Sequence, residues 1–193
     1  MPLKYLLILF VCYLPLYLAL LIYLRTKIEG YSMRDHMVSF LATSSEPWRS
    51  IFNAATVLYG ALSFAVPFSL KTLVEANSWV GLGAASLLSA GAATVLVGFF
   101  PMDKRLKVHN AVGFMAFFSA LFAGLVFFVL FSQGKLFSPL MELVNFAVLA
   151  TTILLGLSLL FHRKESSLLE WIAFLCTLAW NFLLAALLLI RAF

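Results

Sequence analysis

Six apolar runs, each long enough to cross a bilayer, limit what this chain can become. They lie near Leu6–Leu24, Ile51–Leu70, Trp79–Phe100, Val108–Phe131, Leu140–Phe161 and Leu168–Ile190. A helix needs about 20 residues to cross the hydrocarbon layer. In lipid the backbone can satisfy its own hydrogen bonds only as a helix or a closed barrel. No alternation of apolar and polar residues marks barrel strands. The expectation is an all-α polytopic membrane protein, a bundle of six transmembrane helices forming a single domain over residues 1–193. Composition agrees, since 64% of the residues are hydrophobic and only 11% charged. A soluble domain of this size needs more polar surface than that.

The net charge of +5 raises nucleic acid as a partner, but the cations are scattered between the apolar runs and form no stripe. They serve better as markers of orientation. Links one, three and five hold Arg25, Lys27, Arg34, Arg49, Lys104, Arg105, Lys107, Arg163 and Lys164, nine in all. The other side holds four: Lys4, Lys71, Lys135 and Arg191. Cytoplasmic loops of membrane proteins carry the excess of Lys and Arg, which puts the odd links in the cytoplasm and both termini outside. The first run reads as a retained anchor helix, because no small-residue cleavage site precedes Arg25-Thr-Lys27. Cys12 and Cys176 both fall inside apolar runs and read as small buried hydrophobes.

The first link, Arg25 to Ser50, is the only long one. Met33, Met37, Phe40 and Leu41 recur there at helical spacing between polar residues, a pattern that suits a short interfacial helix. A plain solvated loop fits equally well. Ser44-Ser45-Glu46-Pro47-Trp48 has the composition of a helix start, and Pro67 predicts a kink near the far end of the second span. In the third span, Gly81, Ala85, Ser89 and Ala93 form an i, i+4 ladder, with Gly83 and Gly91 on a neighbouring face. Small ladders let backbones approach closely in lipid, so this helix is expected at the centre. Asn145, Thr151, Thr152 and Asn181 are expected to be interhelical hydrogen-bond partners.

The densest polar chemistry lies in the link from Gly98 to Asn110, where Pro101, Asp103, Lys104, Arg105, Lys107 and His109 follow one another closely. Six spans place all three histidines, His36, His109 and His162, on one membrane side, together with Asp35, Asp103 and Glu165. His36, His109 and His162 are therefore candidate zinc ligands, with Asp103 and His109 the candidate catalytic acid–base pair. A haem held by His109 and His162 is a further possibility. No HxxxH or HExxH spacing sets two ligands on one helix face, and no nucleophile elbow or phosphate-cradling glycine loop is present. The cofactor is left open. Asp103 and His109 are equally able to serve as a structural brace holding the third and fourth spans in register.

Some of these residues also form a recognisable pattern. Gly98-x-Phe-Pro101-x-Asp103, then His109, then small residues and Phe117, resembles the bacterial six-helix membrane family labelled domain of unknown function 998. Tyr31-Ser32, Val38-Ser39-x-Leu41, Pro47, Phe52-Asn53 and Gly60 are similar to that family's opening region, with Ala42 standing where a glycine is usual. More distantly, the polar link and its histidine look like those of the damage-regulated autophagy modulator group. The resemblance implies six helices and a membrane location but no reaction; the distant group implies roles in membrane and lipid homeostasis.

Two readings from different classes follow. The first is a non-enzymatic protein binding membrane lipids, a membrane-protein partner or a second copy of itself, through a basic cytoplasmic face. The second is a small membrane enzyme acting on a lipid or quinone-like substrate with a His/Asp site, with or without a metal, at the cytoplasmic mouth. A channel or pump is third. Such proteins need ionisable groups within the membrane, and Glu142, at the start of a span, comes closest.

Overall fold

A computed structural model describes residues 3–74, 77–102, 105–132, 139–161 and 166–192. The described residues fold into seven α-helices and one 3₁₀ helix, with no strand among them. The α-helices are α1 (Leu3–Arg25), α2 (Trp48–Ser63), α3 (Ala65–Leu73), α4 (Ser78–Phe99), α5 (Leu106–Ser132), α6 (Pro139–Leu160) and α7 (Ser166–Arg191). The 3₁₀ helix runs over Val38–Thr43 in the first link. Taking α2 and α3 together, six helices are long and apolar enough to cross a membrane, and their ends fall within three residues of the apolar runs. This is a multi-pass membrane protein.

The second span breaks because of Pro67. A proline inside a helix has no N–H to give and its ring crowds the carbonyl four residues back, here that of Ser63, the last residue of α2. The break is stitched locally. Ser63 Oγ donates to the Gly60 carbonyl at 2.7 Å, and the Phe64 N–H reaches Ala61 O at 3.4 Å.

Consecutive spans pack on one another, and α7 returns to α1 and α3, so the order of neighbours closes on itself. The α4 helix packs chiefly on α2, α3 and α5, which makes it a member of the ring and not its centre. The small-residue ladder is half right. Ser89 and Ala93 face inward, with Ser89 Oγ 2.9 Å from Ser119 Oγ on α5, but Ala85 is exposed and Gly81 has nothing within 4 Å of a Cβ. The close approach uses the neighbouring face instead. A Cβ on Gly60 would lie 2.8 Å from the Gly91 carbonyl oxygen, and one on Gly98 would lie 2.8 Å from the Asn53 carbonyl oxygen. Glycines 60, 91 and 98 thus form the seam along which α2 and α4 meet backbone to backbone.

Between α1, α2 and α7 the bundle holds an aromatic stack. Phe10, Tyr17 and Tyr59 are stacked, with Tyr17 and Tyr59 centroids 5.0 Å apart, and all three are buried. Their hydroxyls are used across helices: Tyr17 Oη lies 3.1 Å from Thr56 Oγ1, and Asn181 Nδ2 donates to Tyr59 Oη at 3.2 Å. Asn145 Nδ2 likewise reaches from α6 to the Gly124 carbonyl on α5 at 3.0 Å. Both asparagines therefore act as the expected interhelical partners. Thr151 returns its hydroxyl to its own helix, on Ala147 O, while Thr152 Oγ1 has no partner. Cys12 is exposed on the outer face of α1 and Cys176 is half-buried, so neither is a core residue, and both are free thiols.

Candidate functional site

The long first link is no free loop but docks on the helices of the bundle. Turns over residues 33–36 lead into the 3₁₀ helix, whose Val38, Leu41 and Ala42 are buried against the bundle. The helical spacing of Met33, Met37 and Phe40 foreshadowed an amphipathic element, and that element docks on protein. Ser44 and Ser45 do not cap α2: the preceding residue Pro47 makes no side-chain cap, and Ser44 Oγ donates back to Leu41 O. Glu46 pairs with Arg49 at 2.9 Å, and hydrogen bonds from Ser50 and then Arg49 hold its carboxyl below the usual range.

One face of α7 receives the link. Ser167 Oγ donates to the Asp35 carbonyl at 3.2 Å, and Glu170 accepts from the Ser39 backbone N–H. The indole N–H of Trp171 is shared between Tyr31 Oη at 2.9 Å and the His36 carbonyl at 3.1 Å. These three residues stand at i, i+3 and i+4, so they project from the same side of the helix. Tyr31 Oη in turn donates to Met37 O at 3.1 Å. Burial pushes the Tyr31 phenol up to about 12, with the Trp171 hydrogen bond partly opposing the rise. The link is thus fastened by backbone groups held from α7, the carbonyls of Asp35 and His36 and the N–H of Ser39.

His36 belongs to this fastening. Its ring lies between Tyr31, centroids 5.4 Å apart, and Phe40, at 4.4 Å, and Nδ1 accepts the Ser32 backbone N–H at 3.2 Å. An Nδ1 that accepts leaves the ring proton on Nε2. His109 sits elsewhere, buried in the first turn of α5, with Nδ1 2.8 Å from the Phe100 carbonyl. A carbonyl can only accept, so Nδ1 carries the proton there. The bond satisfies an acceptor at the end of α4, where helix carbonyls lack partners, and ties α4 to α5 across the turn.

No hydrogen bond or ring contact joins His36 to His109. Asp103, His162 and Glu165 lie outside the described residues, so the proposed Asp103–His109 pair and the three-histidine set are not assembled or dismantled by the fold. Among the described residues, no group of three or more His, Cys, Asp or Glu side chains could hold a metal ion. The acid that the sequence hid is Glu170. It is buried in the second turn of α7, whereas Glu142 is exposed at the start of α6. Only the fold shows that the link covers Glu170.

Beneath the fastened link an open cleft of about 730 Å³ lies against the last turn of α1. Arg25 and Arg34 stand on its rim, and Gly30 makes the turn between them with φ of 70°, a conformation that side chains other than glycine's rarely adopt. Neither arginine has a carboxylate partner among the described residues. Arg25 Nη1 instead donates to the Met33 thioether at 3.0 Å. Lys27 is held over two aromatic rings, 4.7 Å from the Tyr23 centroid and 5.3 Å from that of Trp48.

Residues 11–187 match the model of a family described as "Protein of unknown function (DUF998)". The chain belongs to this family. The matched region runs from within α1 to within α7, so the link, its α7 seat and the α4–α5 turn are all parts of a DUF998 protein. No curated protein and no solved structure matches the chain.

Proposed function

We propose that this DUF998 protein is a non-enzymatic membrane protein that binds anionic lipid head groups with the basic face of its bundle, on the cytoplasmic side. The observation that carries the reading is the link between α1 and α2, folded into a platform where α1 ends, with Arg25 and Arg34 on the rim of its cleft and no carboxylate partner for either among the described residues. Near an anionic bilayer surface each such cation contributes about 1 kcal/mol of attraction. The nine-to-four distribution of Lys and Arg supports the same face and its cytoplasmic side. The looser resemblance to the damage-regulated autophagy modulator group, with its roles in lipid homeostasis, points in the same direction. The enzymatic alternative rests on Asp103, which lies outside the described residues, and His109, whose Nδ1 is engaged with the Phe100 carbonyl.

The test is lipid analysis of the protein extracted from vesicles of phosphatidylcholine containing one part in five phosphatidylglycerol. The retained lipid is expected to be enriched in phosphatidylglycerol over the bulk mixture, and the enrichment is expected to fall with salt. Retained lipid of bulk composition at low salt overturns the reading.

A further inference from the structure

We propose that the cleft beside α1 is a phospholipid site, with Arg25 and Arg34 as ligands for one phosphodiester and Ile28 and Leu168 as the apolar wall for the adjoining glycerol and chain. The inference rests on the lipid-binding reading and names where on that face the head group sits.

The chemistry of the rim selects the ligand. A guanidinium offers five N–H donors in a planar fork that matches phosphate oxygens two at a time. Arg25 spends one donor on a thioether, a weak acceptor, and is therefore held in place without being satisfied. Ser32, also on the lining, adds a hydroxyl donor, its oxygen accepting the Arg34 backbone N–H, whereas the Thr26 hydroxyl is given to the Tyr23 carbonyl. The volume of about 730 Å³ falls within the range of small-ligand sites, roughly 300–1,000 Å³.

Position argues for a lipid over a soluble anion. Arg25 is the last residue of a membrane span, so the rim stands at head-group depth. Leu168 belongs to the first turn of α7, and Ile28 packs partly against the core, so one wall of the cleft is apolar and continues onto the bundle. A free phosphate has no use for that wall. Charge sets the size of the head group. The link from Arg25 to Ser50 carries Arg25, Lys27, Arg34 and Arg49 against Glu29, Asp35 and Glu46, a balance of one positive charge. A singly charged phosphodiester fits that balance better than a phosphomonoester or a polyphosphate.

The platform is ordered before the ligand arrives. Tyr31 lies on the lining, and its hydroxyl is held by Trp171 from α7. Little conformational freedom is left to lose on binding, which favours affinity.

The experiment uses the full chain in phosphatidylcholine nanodiscs, with short-chain phosphatidylglycerol as the probe and native mass spectrometry as the readout. Each of Arg25→Gln and Arg34→Gln is expected to weaken probe binding about tenfold, the loss of one charge-assisted hydrogen-bonded contact. Lys71→Gln, on the opposite side, should bind as wild type. Unchanged melting points show that the arginine variants fold, and Arg25→Lys, which keeps charge without the fork, should recover only part of the affinity. If phosphatidylglycerol is enriched yet both glutamine variants bind like wild type, the cleft is not the site and this inference falls while the lipid-binding reading stands. If wild type shows no enrichment, both fall. If millimolar inorganic phosphate displaces the probe completely, the site takes a soluble anion, and the lipid assignment is overturned.

Discussion

Replacing Gly60 with alanine tests whether α2 and α4 truly touch through their backbones. The added Cβ would lie 2.7 Å from the Val95 backbone nitrogen and 2.8 Å from the Gly91 carbonyl oxygen, the nearer being 0.7 Å short of the 3.4 Å where ordinary contact begins. Neither atom can swing aside as a side-chain tip would, so the two helices must separate along the seam. Overpacking of this kind costs about 1–3 kcal/mol. Against it stands the helix propensity of alanine over glycine, worth about 1 kcal/mol. Gly156→Ala is the proper control, because it is also mid-helix and its Cβ would meet nothing within 4 Å. The propensity gain is common to both variants, so their difference isolates the seam and should be about 1–3 kcal/mol. Thermal unfolding followed by circular dichroism in one detergent, at fixed protein-to-detergent ratio, reads that difference directly. Gly60→Ala should melt below wild type or near it, and Gly156→Ala at or above it. Equal melting points for the two variants would refute the close approach.

Two further outcomes follow from the link and the turn. The folded-state pKa of Tyr31 is raised from 10.0 to about 12, so the docked link holds its proton where a released link would lose it. Docking should therefore be intact below about pH 10 and weaken from there towards pH 12, seen as faster tryptic cleavage at Arg34. Trp171→Phe, which removes the indole donor, should give fast cleavage already at neutral pH, and wild-type rates in that variant would show that the Trp171 bonds do not hold the link. His109→Ala should lower stability by about 1–3 kcal/mol, because the Phe100 carbonyl loses its partner; an unchanged melting point would show that the histidine is not a brace.

The spans were legible because transfer into lipid is dominated by side-chain hydrophobicity, which is read residue by residue. The break at Pro67 and the interhelical bonds of Asn145 and Asn181 were legible for local reasons, a missing N–H and a lone polar group in an apolar run. Which face of a helix is inward was not. Gly81 and Ala85 have the same composition signal as Gly91 and Ala93, and only the neighbours distinguish them. The exposure of Cys12 has the same cause, since an apolar side chain is equally content against lipid or protein.

The candidate site is only partly visible, since Asp103 and His162 lie outside the described residues. Histidines and carboxylates draw attention because their chemistry is carried by the side chain, yet His36 and His109 are both engaged with backbone atoms, the Ser32 N–H and the Phe100 carbonyl. The ends of helices present unsatisfied backbone groups that must be met. A histidine beside such an end meets that need first. The residues left with capacity to bind something are those whose protein partners are weakest. Arg25, with a thioether for an acceptor, is such a residue. Its neighbourhood is the open cleft lined by Tyr31, whose hydroxyl Trp171 holds. Polar richness along the sequence points to the α4–α5 turn, whereas the weakly partnered donors in space point to the α1–α2 link, and the two arginine variants proposed above decide whether recognition follows the second.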